Sequence, residues 1–327
     1  MKPISFVIIT YNRPDDALEL ARNISGLEGV DELVEEVVIV NNRSTVSYEP
    51  LEAFIAAHPE IPFHYVIAPE NLGVSRGRNY AISLSRAPIL VFLDDDALLR
   101  NRDALRHILP IFGISAFKAS GAILTPPDPS ASGRPAGAAD ERPVGIAAFK
   151  IYYASTREMQ VNAFPHKRFA ERKDWPHFDT AYFSGAAHAI HRKVFEQVGV
   201  YPENFFYGME EYDLSYRAVN AGFSIRYDDR VTILHKESPA GRLTPKDKLR
   251  GMWVNKSKVA WKYLPLPYFV TTALLWSLEY IKKSGGHIGG FFKGWGQIAG
   301  IPGAEKRSPV SKTAVAYLRR VKARLWY

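Results

Sequence analysis

Ile89-Leu90-Val91-Phe92-Leu93-Asp94-Asp95-Asp96 decides how this chain is read. Five uninterrupted apolar residues describe a strand buried on both faces, and three carboxylates end it abruptly. Adjacent carboxylates repel one another, so such an ending is unfavourable unless positive charge sits there. A divalent cation with a preference for oxygen, Mn2+ or Mg2+, is the natural counter-charge. The ordinary alternative is a solvated acidic turn that caps the next segment. Strand alternation sets Asp94 and Asp96 on one side and Asp95 on the other.

Residues 4–10, 37–40 and 63–67 are apolar runs of the same kind. Helical spacing falls between them, over 14–24, 51–57 and 74–85. Strands alternating with helices at short spacing predict a parallel, doubly wound α/β sheet. Polar clusters follow the carboxyl ends of these strands: Thr10-Tyr11-Asn12-Arg13, Asn41-Asn42-Arg43-Ser44 and the three aspartates. Ligands bind at that edge in open α/β sheets, so the first half reads as a nucleotide-binding half-domain. No G-x-G-x-x-G follows the first strand, which argues against a dinucleotide-dependent oxidoreductase.

The α/β rhythm weakens past a Pro-, Gly-, Ala- and Ser-rich stretch at 126–143, read as a mobile loop. Beyond it the pattern predicts a strand over 182–190 and a short helix over 191–198. A helix follows over 210–220 with Gly222 in the C′ position, then separate strands over 223–226 and 231–234. Residues 246–262 are basic with interleaved Trp and Leu, 268–281 mostly apolar, and 285–303 rich in glycine; 311–327 reads as a basic amphipathic helix.

The bulk numbers suit one large domain of this kind. The chain has 327 residues, 46% hydrophobic and 23% charged, enough for a core domain of roughly 200–250 residues with an extension. Its net charge of +8 favours anionic partners but is too mild to choose among them. It has no cysteine, which excludes disulfides and thiolate metal sites and is compatible with a reducing cytosol. The strand pattern starts at residue 4 without a leader, and no apolar run of about 18 residues occurs, so neither a signal peptide nor a spanning helix is expected.

A second constellation, Glu210-Glu211-Tyr212-Asp213, opens a helix after Asn204-Phe205-Phe206-Tyr207-Gly208. Acidic residues favour a helix N-terminus for dipole reasons, and Asp213 can pair with Arg217. The functional reading is a general base that takes a proton from an attacking hydroxyl. His235 ends the strand 231–234, where a neutral imidazole can serve as a metal ligand or simply as a hydrogen-bonding group.

Taken in order, these segments resemble the family 2 glycosyltransferases with the GT-A fold, of which a rhamnosyltransferase-like subgroup is one option. The resemblance rests on Phe6-Val7-Ile8-Ile9-Thr10-Tyr11-Asn12-Arg13, on Asn71-Leu72-Gly73-Val74-Ser75-Arg76-Gly77-Arg78-Asn79 and on the DxD-like Asp94-Asp95-Asp96. Ser184-Gly185-Ala186-Ala187, residues 199–217 and His235 complete it over roughly residues 4–240. It implies a Rossmann-like doubly wound mixed sheet over residues 1–240, with a nucleotide half (1–100) and an acceptor half (101–240). A mostly helical C-terminal extension would occupy 241–327. It further implies an inverting transfer of a hexose or deoxyhexose from a UDP-, dTDP- or GDP-sugar to a glycan or lipid-linked acceptor in cell-surface polysaccharide synthesis. In that scheme Thr10, Tyr11, Asn12, Arg13, Asn41, Arg78, Asp94 and Asp95 bind the donor. Asp96 and His235 hold the metal, and Glu211, with Glu210 beside it, is the base. Two positions depart from the family pattern, which usually has Asp at Asn41 and Asp at Glu211.

The C-terminal region allows two readings. Trp253, Trp261, Tyr263, Tyr268, Trp276 and Trp295 among lysines could rest on an anionic membrane surface from the cytoplasmic side. Alternatively they pack on the catalytic domain and close over the acceptor groove, the reading favoured here. The rival functions are a sugar nucleotidyltransferase, disfavoured because Thr10-Tyr11-Asn12-Arg13 has no glycine, and a non-catalytic sugar-binding relative. Nucleic-acid binding has only the mild charge in its favour.

Overall fold

The computed structural model describes residues 1–114, 142–205, 208–238 and 245–325. The expected loop over 126–143 lies outside these apart from its last two residues, as do Phe206 and Tyr207.

Strands β1 (Ile4–Thr10), β2 (Val34–Asn41), β3 (Phe63–Ile67) and β4 (Ile89–Asp94) run parallel in the order β3-β2-β1-β4. Helices α1 (Pro14–Ser25), α2 (Val30–Leu33), α3 (Glu49–Ala57) and α4 (Gly73–Leu84) connect them. Continuous apolar runs are explained by two cores. Phe6 and Ile8 of β1, and Val91 and Leu93 of β4, face a core shared with Leu20 and Ile24 of α1. Val7, Leu90 and Phe92 face the other core with Ala81 and Ile82 of α4. Each such side chain contributes roughly 1.5–3 kcal/mol on burial. Helix α1 begins as its sequence dictates: Pro14 at the first position loses no hydrogen bond there, and Asp15 and Asp16 meet the positive end of the dipole. Gly77 of α4 lies so near β1 that a Cβ would come within 3.0 Å of Ile9.

The second half turns the sheet mixed. It contains β5 (Ala97–Leu99), α5 (Ala104–Ile111), β6 (Val144–Tyr153), α6 (Phe169–Arg172) and β7 (His177–Thr180). β8 (Ala187–His191), α7 (Arg192–Val198), α8 (Glu210–Asn220) and β9 (Ser224–His235) follow. The sheet continues β4-β8-β6-β9-β5, with β7 also on β9; β8 is antiparallel to β4 and to β6, and β6 is parallel to β9.

Three sequence expectations change here. The strand over 182–190 shrinks to β8, because residues 181–186 turn to bring Gly185 against the site. The strands over 223–226 and 231–234 are one strand, β9, whose register shifts where Phe149 pairs with Asp228 and Lys150 with Thr232. Asp228 accepts from the Arg230 backbone and side chain there, holding the bulge closed. Strand β6, which the pattern did not announce, lies in the sheet between β8 and β9, and its Gly145 allows Phe223 and Val194 to close in.

Beyond lie α9 (Pro245–Tyr263), α10 (Leu266–Lys283), α11 (Ile288–Ala304) and α12 (Lys312–Arg320). The expected helix over 311–327 thus ends early, in a turn with Lys322 at φ 55°. Helix α11 forms despite its glycines, each about 1 kcal/mol worse than Ala in a helix. A Cβ at Gly294 would fall 2.3 Å from the Trp253 ring, so the glycine is what lets α11 seat on α9. Trp253, Tyr280 and Ile298 form a small core of their own. Tyr263, Tyr268 and, on α12, Tyr317 and Leu318 join the core beneath α8.

Candidate active site

The carboxyl ends of β1, β2 and β4 converge at one edge of the sheet, and β5 and β9 bring a further residue to it. Ala97 pairs with His235, so the turn after β4 places Asp96 beside the end of β9. Single ligand atoms of Asp94, Asp96 and His235 all lie within 4.8 Å of one another. Asp94 thereby joins Asp96 and His235, whereas the sequence reading set it with the donor. Asp96 and His235 are buried.

The donor chemistry of this trio fits a divalent cation. Gln160 donates through Nε2 to Glu237 at 2.9 Å, which turns its oxygen toward Nδ1 of His235 at 3.0 Å. Nδ1 therefore carries the hydrogen, and Nε2 is the ring position open to a cation. Nε2 lies 3.3 Å from Oδ1 of Asp96. A ring lone pair and a carboxylate oxygen at that distance repel unless a proton or a metal lies between them. Burial would lower the proton affinity of His235, but Asp96 and Asp94 outweigh it and raise it. Burial likewise works against ionised Asp96, and the His235 ring, Arg13 and the Ser238 N–H together hold its carboxyl down at about 2.

Asp95 stands outside this group: it and Asp96 lie in the turn beyond β4, so the strand alternation expected there does not extend to them. Its carboxylate sits 2.7 Å from Arg13 Nη1, which also reaches Asp96 at 3.3 Å. Burial pushes Asp95 up to about 7, against the pull of Arg13. Arg13 thus spends its charge on the aspartates rather than standing open as a pocket wall.

The second constellation meets the first through Arg78. Its guanidinium is buried, 3.3 Å from Asp94 and 3.1 Å from Glu210, and Nη1 lies 3.8 Å from Glu211. Nη2 donates to the Gly185 carbonyl at 2.8 Å, and the Tyr201 ring lies 5.5 Å beneath. Asn79 fixes Tyr201 by bonding both its backbone groups at 2.9 Å. Glu210 is 3% exposed in its side chain and Glu211 15%, so Glu211 is the more accessible of the pair. Burial, then the Glu210 charge, push the Glu211 carboxyl well above the usual carboxylate range, with Arg78 opposing both. Gly185 is fitted to this carboxylate: a Cβ there would fall 2.1 Å from Glu211 Oε1.

Thr10, Asn12 and Asn41 gather at the ends of β1 and β2. Tyr48 joins them, its hydroxyl 2.7 Å from Thr10 Oγ1 and accepting from the Arg13 N–H at 3.0 Å. Asn12 adopts φ 56° and accepts from the Thr45 N–H. The Asn41 amide donates to Tyr65 at 2.8 Å and accepts from the Ser44 N–H at 2.9 Å. Tyr11 is half-buried at the same edge. Tyr48, Tyr65, Gln160 and Tyr201 were not singled out from sequence. A single hydroxyl or amide carries no periodic signal, and only the fold shows which partner it meets.

Helix α8 is braced from behind. Asp213 accepts from Arg217 at 2.7 Å, Tyr263 at 2.8 Å and Lys262 at 2.5 Å, and Asn255 donates to the Gly208 carbonyl at 3.0 Å. Of the aromatic residues of α9, Tyr263 packs on the helix that carries Glu210 and Glu211, whereas Trp253 and Trp261 pack among the C-terminal helices. A cavity of about 550 Å³ opens between α9 and α11, lined by Asn204, Lys258, Gln297 and Glu305, and contains none of the carboxylates above.

Comparison with known proteins agrees with this architecture. The model of the family described as Glycosyl transferase family 2 matches residues 5–118. An uncharacterized protein of Haemophilus influenzae is 28% identical over 200 residues, 61% of this chain and 92% of that one. The low-salt glycan biosynthesis hexosyltransferase Agl10 of Haloferax volcanii is 26% identical over 239 residues, 72% of this chain and 67% of the other. Among solved structures, the mannosyltransferase PcManGT of Pyrobaculum calidifontis, in complex with GDP-Man and Mn2+, superimposes with a TM-score of 0.55 at 18% identity. That likeness covers 100% of this chain and 81% of that one.

Proposed function

Because this chain is a glycosyltransferase of family 2 with the GT-A fold, we propose that it transfers a hexose or deoxyhexose from a nucleoside diphosphate to an acceptor hydroxyl with inversion at the anomeric carbon. The observation that carries this reading is Arg78, whose one guanidinium touches both Asp94 of the cation group and the Glu210–Glu211 pair. Leaving-group and base machinery thus face a common space.

The acceptor oxygen attacks the anomeric carbon from the side opposite the diphosphate. Glu211 takes the hydroxyl proton as the new C–O bond forms. The bond to the diphosphate breaks, and its electron pair leaves with the phosphate oxygen. Glu210, paired with Arg78, keeps Glu211 basic by its charge. Asp94, Asp96 and His235 would hold Mn2+ or Mg2+, which when bound supplies positive charge to the departing diphosphate. Thr10, Tyr11, Asn12 and Asn41 line the nucleoside end, with Arg13 and Asp95 fixing the turn that aims Asp96. Arg78 orients Asp94 and the base pair on the diphosphate side. The similar fold that holds GDP-Man and Mn2+ supports a donor of the UDP-, dTDP- or GDP-sugar class. A relative named for glycan biosynthesis and another named as an O-antigen chain rhamnosyltransferase support a glycan acceptor.

A hydrolysis screen across UDP-, dTDP- and GDP-sugars with Mn2+ identifies the donor, and NMR of the product's anomeric proton tests inversion. Glu211→Gln is expected to bind donor normally and lose ~10²–10⁴ in transfer rate. Asp96→Ala is expected to lose metal-dependent donor binding in calorimetry. Equal donor affinity of Asp96→Ala and wild type, with metal present, overturns the cation assignment.

A further inference from the structure

Helix α10 presents an outer face that nothing among the described residues covers. Leu266, Val270, Leu274 and Leu278 recur at four-residue spacing and are between 49% and 66% exposed. Leu275 widens the stripe at 42% exposed. That spacing sets them in one band along the helix. Soluble monomers rarely leave so long an apolar band uncovered, and one that exists marks a partner. The next helix, α11, exposes Ile288 and Phe292, again four residues apart.

The charge around this band selects the partner. Residues 245–325 hold sixteen Lys and Arg against three acids, Asp247, Glu279 and Glu305, so this unit alone exceeds the net +8 of the whole chain. Glu279, the one acid of α10, is ion-paired with Lys283 at 2.7 Å. Lys282 and Lys283 close the last turn of α10, and Lys293 follows Phe292. A second copy of this chain fits poorly. Self-association would press two strongly basic units together, and protein interfaces favour exposed aromatics at their centre, whereas every exposed apolar side chain of the α10 stripe is aliphatic. An aliphatic band beside clustered lysines suits the boundary between anionic headgroups and acyl chains. Among the described residues no helix is long and apolar enough to cross a membrane, so α10 would lie in its plane.

We infer that the C-terminal unit docks on an anionic lipid surface through the outward face of α10. This face is distinct from the tryptophans and tyrosines that the sequence offered as anchors, most of which are turned into the protein. The inference stands apart from the donor chemistry. The test is co-sedimentation of the full chain with phosphatidylglycerol-rich vesicles and with phosphatidylcholine vesicles. Wild type is expected to bind the anionic vesicles and to bind the neutral ones more weakly. The double variants L274E/L278E and K282E/K283E are each expected to bind the anionic vesicles about tenfold more weakly or worse. Both change exposed side chains, and unchanged thermal melting and donor binding certify the fold. Wild type left in the supernatant, or L274E/L278E sedimenting like wild type, overturns the inference. So does a lipid-free dimer of wild type that L274E/L278E converts to monomer, which would make the face a self-interface.

Discussion

The side-chain oxygen of Gln160 lies 3.0 Å from Nδ1 of His235, and Glu237 holds the Gln160 amide in that orientation. The pair fixes which ring nitrogen faces Asp96. Gln160→Met keeps the side chain's length but removes the acceptor, leaving the ring free to rotate and to change tautomer. Loss of such a ligand-orienting partner typically costs 10–100-fold in metal affinity. Mn2+ titration followed by electron paramagnetic resonance is expected to show a weakening of that order. An unchanged affinity would mean that His235 does not bind the ion.

Gly185 has no room for a methyl group, because Glu211 Oε1 occupies the place where its Cβ would be. Gly185→Ala is therefore expected to fold, since the far end of a side chain can give way, while pushing the Glu211 carboxylate aside. A misplacement of about 1 Å can cost on the order of 10²-fold in rate. The predicted pattern is a large fall in kcat with donor affinity retained. A variant with wild-type kcat would dissociate Glu211 from proton transfer.

The pH profile offers a separate check. Burial first, and the Glu210 charge second, raise the Glu211 carboxyl well above the usual carboxylate range. A carboxyl so raised takes up its proton while pH is still far above the ordinary range, and the protonated form is no base. At saturating donor and metal, kcat should thus climb toward alkaline pH and fall as pH drops through the raised value. Glu210→Gln removes the second cause, so its limb should move to lower pH. If the limb stays in place, another group limits the rate.

The parallel half of the sheet was legible because a strand buried on both faces leaves an unbroken apolar run, as in Ile4–Thr10 and Ile89–Asp94. Strand β9 was read as two strands because Asp228, Asp229 and Arg230 interrupt its pattern, and only the pairing with β6 shows that they are a bulge. Strand β6 itself is masked by Gly145, Ala147 and Ala148, small residues whose packing value lies in what they allow to approach. In the site, charge clusters could be read directly, and Asp94, Asp96, His235, Glu210 and Glu211 were all named from sequence. Their linkage through Arg78 and the positioning by Gln160 depend on contacts between distant segments, which no local pattern encodes.

Tyr263 ties the C-terminal helices to the site, since its hydroxyl donates to Asp213 Oδ2 at 2.8 Å beneath the turn that carries Glu210 and Glu211. Asp213 is 1% exposed in its side chain, so water cannot replace a lost donor. Tyr263→Phe leaves the ring in its core and removes only that hydroxyl. Lys262 still reaches the same oxygen, and Arg217 the other, so the carboxylate stays partnered. A hydrogen bond to a charged group contributes about 1.5–3 kcal/mol, and the remaining partners should hold the loss toward the lower end of that range. Urea unfolding is expected to show a lower midpoint with unchanged slope. Lys262→Met, which removes a charge as well as a donor, should cost more than Tyr263→Phe. The reverse order would show that the buried Tyr263 hydroxyl, rather than the Lys262 charge, is the more important partner of Asp213.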